Sequence, residues 1–237
     1  MGRAHEVRAA SMAKTAAAKS KLYSIYAKEI YQAAKGNPDP VNNVVLRRII
    51  EKAKKAQVPA DVINRNIDKV KKGVAENYTS CEYEAFGPGN CTLIIKCLTD
   101  NSNRALSEIK TAFNKCGAKL AREGSVSYMY EHLGVVGIKG INEEEVMNAL
   151  IERDIDVDDI EVDNEDVVVY SEVANLSKVK TALEEAFNDI KFEIDEISYF
   201  PKDSIVLNEE DKAKFEKLLN MLDEIDDVSN VYHNVEN

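Results

Sequence analysis

The stretch that decides the fold lies between Val135 and Tyr199. It reads Val135-Val-Gly-Ile-Lys139, Asn142-Glu-Glu-Glu-Val-Met-Asn-Ala-Leu-Ile-Glu-Arg153, Asp156-Val-Asp-Asp-Ile-Glu-Val162, Asp166-Val-Val-Val-Tyr-Ser171, Leu176-Ser-Lys-Val-Lys-Thr-Ala-Leu-Glu-Glu-Ala-Phe187 and Phe192-Glu-Ile-Asp-Glu-Ile-Ser-Tyr199. Four of these pieces are short and carry β-branched or aromatic residues, and they predict strands. The second and fifth carry apolar residues at helical spacing. A turn at Asp163-Asn-Glu165 joins the two middle strands. The order β-α-β-β-α-β is the split βαβ order of ferredoxin-like domains, which is therefore expected over residues 134–200.

Outward from there, Cys81-Glu-Tyr-Glu-Ala-Phe86 alternates as a strand, Gly87-Pro-Gly-Asn90 turns, and Cys91-Thr-Leu-Ile-Ile-Lys-Cys-Leu98 reads as a buried strand. Asn101–Cys116 is an amphipathic helix through Leu106, Ile109, Ala112 and Phe113. Ser125-Val-Ser-Tyr-Met-Tyr130 predicts a further strand. This segment lacks a second helix and another strand. The chain after Pro201 offers both, as a helix over Asn208–Leu222 and a strand near Val228–Val235. The expectation is a discontinuous domain of 80–131 plus 203–237, with 134–200 inserted in it.

Residues 21–75 predict a small helical bundle. Leu22, Ile25, Tyr26, Ile30 and Ala33 share one face of a first helix, which Gly36-Asn-Pro-Asp-Pro40 ends. Leu46, Ile49, Ile50 and Ala53 face inward from a second. A third begins near Pro59–Asp61, carries Ile63, Ile67 and Val70 at i, i+4, i+7, and ends at Lys72-Gly73. Residues 1–20 are basic, have good helix propensity and are poor in large apolar side chains, and they read as a mobile or partly helical arm. The fold class is thus α+β: an N-terminal three-helix bundle followed by two α+β domains, one inserted in the other.

Charge divides along the same lines. Residues 1–75 hold 16 Lys and Arg against 6 Asp and Glu, whereas residues 76–237 hold 15 against 36, and the whole chain of 237 residues carries −11. A cationic module on an anionic body points to nucleic acid or another polyanion as the partner. The outer faces carry this charge. Arg65, Lys69 and Lys72 each follow Ile63, Ile67 and Val70 by two residues, about 200° of helix, and so face away from the core. Arg47, Arg48, Lys52, Lys54 and Lys55 form a similar face on the second helix. With the arm, the candidate nucleic-acid contacts are Arg3, Arg8, Lys14, Lys19, Lys21, Arg47, Arg48, Lys52, Lys55, Arg65, Lys69, Lys72 and Arg104. No zinc-finger or RNA-stacking consensus accompanies them, so phosphate contact is better supported than base readout.

Two loops stand out. Gly87-Pro-Gly89 is either an anion-binding loop or a tight hairpin turn. Thr99-Asp-Asn-Ser102 can cap the helix that follows, but Arg104 in its first turn opposes the helix dipole and calls for a carboxylate or phosphate partner. Arg104 is expected near the Gly87–Gly89 loop or a bound phosphate. Gly124-Ser-Val-Ser127 resembles a nucleophile motif only superficially, since His5, His132 and His233 are the chain's three histidines and none is placed as its base. The acidic residues of 143–166 lack the glycine and ligand spacing of an EF-hand and read as a solvated face. No catalytic residue, metal site or cofactor is expected.

Cys81, Cys91, Cys97 and Cys116 form no C-x-x-C pair and sit among apolar neighbours, as free thiols of a reducing cytosol do. No run of 18 apolar residues would span a membrane, and no secretory signal is expected. The expected location is cytoplasmic.

The chain resembles the YebC/PmpR family of bacterial regulatory proteins, which is related to the mitochondrial translational activator of cytochrome c oxidase. The resemblance is carried by Gly36-Asn-Pro-Asp-Pro-Val-Asn-Asn43, Ile50-Glu-Lys-Ala-Lys-Lys-Ala-Gln-Val-Pro59, Tyr83-Glu-Ala-Phe-Gly-Pro-Gly89, Leu98-Thr-Asp-Asn-Ser-Asn-Arg104, Phe113-Asn-Lys-Cys-Gly117 and Gly124-Ser-Val-Ser-Tyr-Met129. The ending Val231-Tyr-His-Asn-Val235 is similar to that of the YeeN-type branch. Many members open on a Lys-Trp segment, where this chain has His5-Glu-Val-Arg-Ala9 and no Trp. The resemblance implies three domains and a non-enzymatic, DNA-binding transcriptional regulator acting on promoter DNA. The alternative it implies is a ribosome-associated translation factor that binds ribosomal RNA near the peptidyl-transferase centre.

Overall fold

The computed structural model describes residues 16–163 and 165–236. Three helices open it: α1 (Ala16–Ala34), α2 (Val44–Lys55) and α3 (Ala60–Lys71). Next come β1 (Thr79–Phe86), β2 (Thr92–Thr99), α4 (Ser102–Cys116) and a two-residue β3 (Lys119–Leu120). Then follow β4 (Tyr130–Lys139), α5 (Glu143–Ile151), β5 (Asp159–Asp163), β6 (Asp166–Glu172), α6 (Leu176–Ala186) and β7 (Phe192–Pro201). The last elements are α7 (Glu209–Asp223) and β8 (Val228–His233). The fold is mixed α+β, as expected, and has two four-stranded antiparallel sheets among the described residues. No described helix is long and apolar enough to cross a membrane. The described chain divides into two compact units, Tyr128–Asp203 and residues 16–127 with 204–236.

In the Tyr128–Asp203 unit the sheet order is β5-β6-β4-β7, the ferredoxin-like order. Its first helix begins at a capping box in which Asn142 and Glu145 satisfy each other's backbone N–H groups. Val136, Ile138, Val167 and Val169 of the sheet pack on Val146 and Leu150 of α5 and on Val179 and Leu183 of α6. Lys180 of α6 is buried and pairs with Asp195 of β7, so its charge is matched where desolvation would otherwise be costly. β4 starts at Tyr130, five residues ahead of the expected start at Val135. Residues 128–203 hold 6 Lys and Arg against 21 Asp and Glu.

The second unit contains the sheet β3-β1-β2-β8. Leu93, Ile95 and Cys97 of β2 pack on Ile109, Ala112, Phe113 and Cys116 of α4 and on Phe215, Leu218 and Leu222 of α7. The four cysteines are free thiols; Cys91, Cys97 and Cys116 are buried and Cys81 is half-buried. α1, α2 and α3 build their own core from Ile30, Ala34, Leu46, Ile50, Ala53, Val58, Ile63 and Ile67. Leu22, Ile25 and Tyr26 of α1 are only half-buried. That helix also reaches back to Ala16, into the stretch read as an arm. The rest of the arm lies outside the described residues.

The strand expected over Ser125–Tyr130 does not form before Tyr130. Residues 123–126 bend and Ser127–Met129 make a 3-10 turn. The reason is Glu84 of β1. Its carboxylate accepts the backbone N–H of Gly124 (2.7 Å), of Ser127 (3.1 Å) and of Val126. Backbone donors that bind a carboxylate are withdrawn from any strand ladder. Burial alone would raise the Glu84 carboxyl, but these donors outweigh it and hold it below the ordinary glutamate value.

Candidate nucleic-acid interface

The bundle's outer surface is set by its caps. The Asn43 side chain accepts the N–H of Leu46 and donates to the carbonyls of Ala33 (2.9 Å) and Asn37 (2.7 Å). One amide thus starts α2 and pins its entry to the end of α1. Leu46, Ile50 and Ala53 then turn inward. With the apolar face fixed, Arg47, Lys54 and Lys55 are exposed, and Arg48 and Lys52 are half-exposed. Lys52 lies near Glu29 of α1, whose carboxyl is raised by burial and pulled back by the Lys52 charge. Arg47, Arg48 and Lys54 have no carboxylate partner among the described residues.

α3 is different. Ile63 and Ile67 are buried, as the spacing predicts, and Arg65 and Lys72 are exposed. Its cations are interleaved with acids. Arg65 pairs with Asp61 at 3.1 Å, both side chains 67% exposed. Lys69 pairs with Glu76 at 2.8 Å, and Glu76 also accepts the hydroxyl of Tyr78 at 3.1 Å. Burial, with the Glu76 bond second, pushes the Tyr78 phenol up to about 12. Asp61, Asn64, Arg65, Asp68, Lys69, Lys72 and Val74 line an open groove of about 600 Å³. The Arg65–Asp61 pair is fully wet, and a pair of that kind contributes about 0–1 kcal/mol, so phosphate can displace it.

The cations of α1 point elsewhere. Lys19 is exposed. Lys21, expected to meet nucleic acid, is only 11% exposed and binds the Asp223 carboxylate at 3.2 Å and its carbonyl at 2.7 Å. Two turns further on and on the same helical face, Lys28 binds Asp227 at 2.8 Å and the carbonyls of Leu98 and Asp226 at 3.0 and 3.2 Å. These two lysines clamp α1 to the end of α7 and the turn that follows. Arg3, Arg8 and Lys14 lie outside the described residues.

Arg104 joins the same clamp. It donates to Asp227 at 2.6 and 3.2 Å and to Asp100 at 2.8 Å. The expected carboxylate partner is present. The Gly87–Gly89 loop is not its neighbour: that loop packs on Leu207 and Asp211. Pro88 is buried, the Gly87 N–H bonds Cys91 O at 2.7 Å, and Gly89 takes φ +64°. A Cβ on Gly87 would lie 2.5 Å from Cys91 Sγ. The loop is a tight hairpin turn whose glycines answer to packing. Asn101 is the cap and accepts the N–H of Arg104 at 3.1 Å; Thr99 accepts the N–H of Asn101 at 2.9 Å and donates to Asp227 at 2.8 Å.

Asp227 therefore gathers Lys28, Thr99 and Arg104 while only 4% exposed. Burial pushes its carboxyl up, and the bonds from Lys28, Arg104 and Thr99 outweigh that and hold it below the usual carboxylate value. Sequence reasoning passed over Asp227 because it is one acid in the run Asp223-Glu-Ile-Asp-Asp227. Glu84 was missed for a related reason: its partners are backbone groups forty residues away, which leave no trace in side-chain patterning.

Comparison with known proteins fits this architecture. Residues 3–73 match the family model of the TACO1/YebC protein N-terminal domain, and residues 78–235 match that of the TACO1/YebC second and third domain. A probable transcriptional regulatory protein of Alteromonas mediterranea is 49% identical over 235 residues, covering 99% of this chain and 98% of that protein. One from Pseudoalteromonas translucida is 50% identical over 236 residues, with 99% and 98% coverage. The crystal structure of a conserved hypothetical protein from Aquifex aeolicus superposes with a TM-score of 0.74 at 34% identity, covering 94% of this chain and 93% of that one. The chain belongs to the TACO1/YebC family.

Proposed function

We propose that this protein is a non-enzymatic nucleic-acid-binding regulator of gene expression, acting in the cytoplasm and binding promoter DNA, in line with the names of its relatives. The observation that carries the reading is the outer face of α2. Arg47, Arg48 and Lys54 stand there without carboxylate partners among the described residues, in a chain of net charge −11. Cations held off the core and left unpaired are suited to phosphates, whose bound counterions they release. The acidic unit repels the same phosphates and limits the ways the bundle can approach them.

A second reading is a translation factor that binds ribosomal RNA near the peptidyl-transferase centre. It is favoured by the surface of α3, where Asp61 and Asp68 share the groove with the cations. Acids in that position suit a helix lying along a shaped RNA surface better than one inserted between the phosphate walls of a major groove. Crosslinking the full-length protein in cells and sequencing the attached nucleic acid separates the two. Promoter DNA supports the first reading, ribosomal RNA supports the second, and no attached nucleic acid above background contradicts both.

A further inference from the structure

The turn before α2 and the first residues of that helix expose an apolar tip. Val41 is 77% exposed, Val44 45% and Val45 62%. Isolated exposed valines are ordinary, but three within five residues form a patch. The tip is also held firmly. Asp39 accepts the N–H of Val41 at 3.1 Å and the side-chain amide of Asn42 at 2.6 Å. Asn37 accepts the N–H of Asp39 at 2.9 Å, and Asn43 ties the same turn to the end of α1. The valines are thus fixed outward by hydrogen bonds rather than left on a loop free to fold over them. Folding gains nothing from that arrangement. A partner gains a preorganised contact that needs no further ordering.

The surroundings indicate the partner's chemistry. Val44 lies one helical turn from Arg47 and Arg48, and Val45 one turn from Arg48. Both arginines lack a carboxylate partner among the described residues. The surface therefore presents a rigid apolar point with unpaired cations directly behind it. We propose that Val41, Val44 and Val45 form a wedge that packs on unstacked or unpaired bases while Arg47 and Arg48 hold the flanking phosphates. Apolar wedges beside cations are a known solution for engaging bases outside a regular stack, in kinked duplexes and in RNA loops. The inference deepens the nucleic-acid reading and rests on it.

The test compares full-length wild type with V41S/V45S, two positions that contribute no core contact. The probes are a fluorescein-labelled RNA hairpin with a large unpaired loop and a blunt RNA duplex of equal phosphate number, each titrated across a range of salt. Wild type is expected to bind the hairpin more tightly than the duplex. V41S/V45S should lose about tenfold on the hairpin and little on the duplex, since burying apolar side chains of this size carries at least that much affinity. Its salt slope should be unchanged, because no cation was removed. Salt-sensitive binding by wild type that V41S/V45S fully retains overturns the wedge but leaves the nucleic-acid reading standing; the tip would then be a contact for a protein. Wild type that binds neither probe at low salt, nor a DNA hairpin and a DNA duplex of the same sequences, overturns both.

Discussion

Two sets of cations sit within the same three helices, and they do opposite things. Lys21 and Lys28 of α1 are 11% and 12% exposed and bind Asp223 and Asp227. Arg47, Arg48 and Lys54 of α2 face outward with no carboxylate among the described residues. Counted along the sequence they are the same charge. In the fold, the first set holds α1 to the α+β core of its unit, and the second is left for a partner. A surplus of basic residues thus overstates the size of a binding surface, because part of it is neutralised by folding. The difference can be tested, since the first set should govern melting and the second should govern binding.

The largest effect on melting is expected from Asp227→Ala. It leaves the Lys28 ammonium with only the carbonyls of Leu98 and Asp226 and removes a partner of Arg104 and of Thr99. Loss of one member of a buried ionic group costs about 3–5 kcal/mol. Urea unfolding should report it, with the salt slope of nucleic-acid binding unchanged. The same carboxyl sets a sign with pH. Its folded pKa lies below its unfolded one. Its contribution is therefore complete above the ordinary carboxylate value and is lost as pH falls through the lower folded value. Asp227→Ala should remove that part of the acid loss.

Glu84→Gln tests a buried anion held by the backbone N–H groups of Gly124, Val126 and Ser127 and by the Ser127 side chain. An amide turns a donor toward the N–H groups of Val126 and Ser127, so we expect a loss of about 1–3 kcal/mol, read by urea unfolding. Nucleic-acid affinity measured below the unfolding midpoint should not change. An affinity change there would mean that the 124–127 turn, and not only α2, touches the partner.

The smallest effect concerns His233 of β8, which packs edge-on against Phe215 at 4.9 Å. Burial lowers its folded pKa, with a backbone bond at Val235 partly opposing. Between the ordinary histidine value and that lower folded value the unfolded chain binds the extra proton, so stability falls as pH drops through this window. His233→Phe should flatten melting temperature against pH over that interval. A retained slope would place the titration elsewhere.

Much of the fold was legible. The spacing of Val136, Ile138, Val167 and Val169 and of Val179 and Leu183 carried the ferredoxin-like order, because apolar period and strand length are local properties. The inward residues of α2 and α3 were legible for the same reason. The turn at 124–127 was not, since a carboxylate forty residues away sets its conformation. The site was legible only in outline. Helical spacing showed which way Arg47 and Arg65 point, but the partners of Lys21, Lys69 and Arg104 depend on where Asp223, Glu76 and Asp227 fold back. Charge patterning has no term for that.

The most direct measurement is the salt dependence of nucleic-acid binding by the full-length protein and by Arg47→Glu/Arg48→Glu, run beside a thermal melt of each. If α2 is the phosphate-binding face, the double reversal lowers the slope of log affinity against log salt by about 1.4 or more, as loss of two phosphate contacts requires. Its melting temperature stays at the wild-type value, because neither arginine helps to hold the core. An unchanged slope, or a loss of binding that appears only with a loss of folding, would contradict the account.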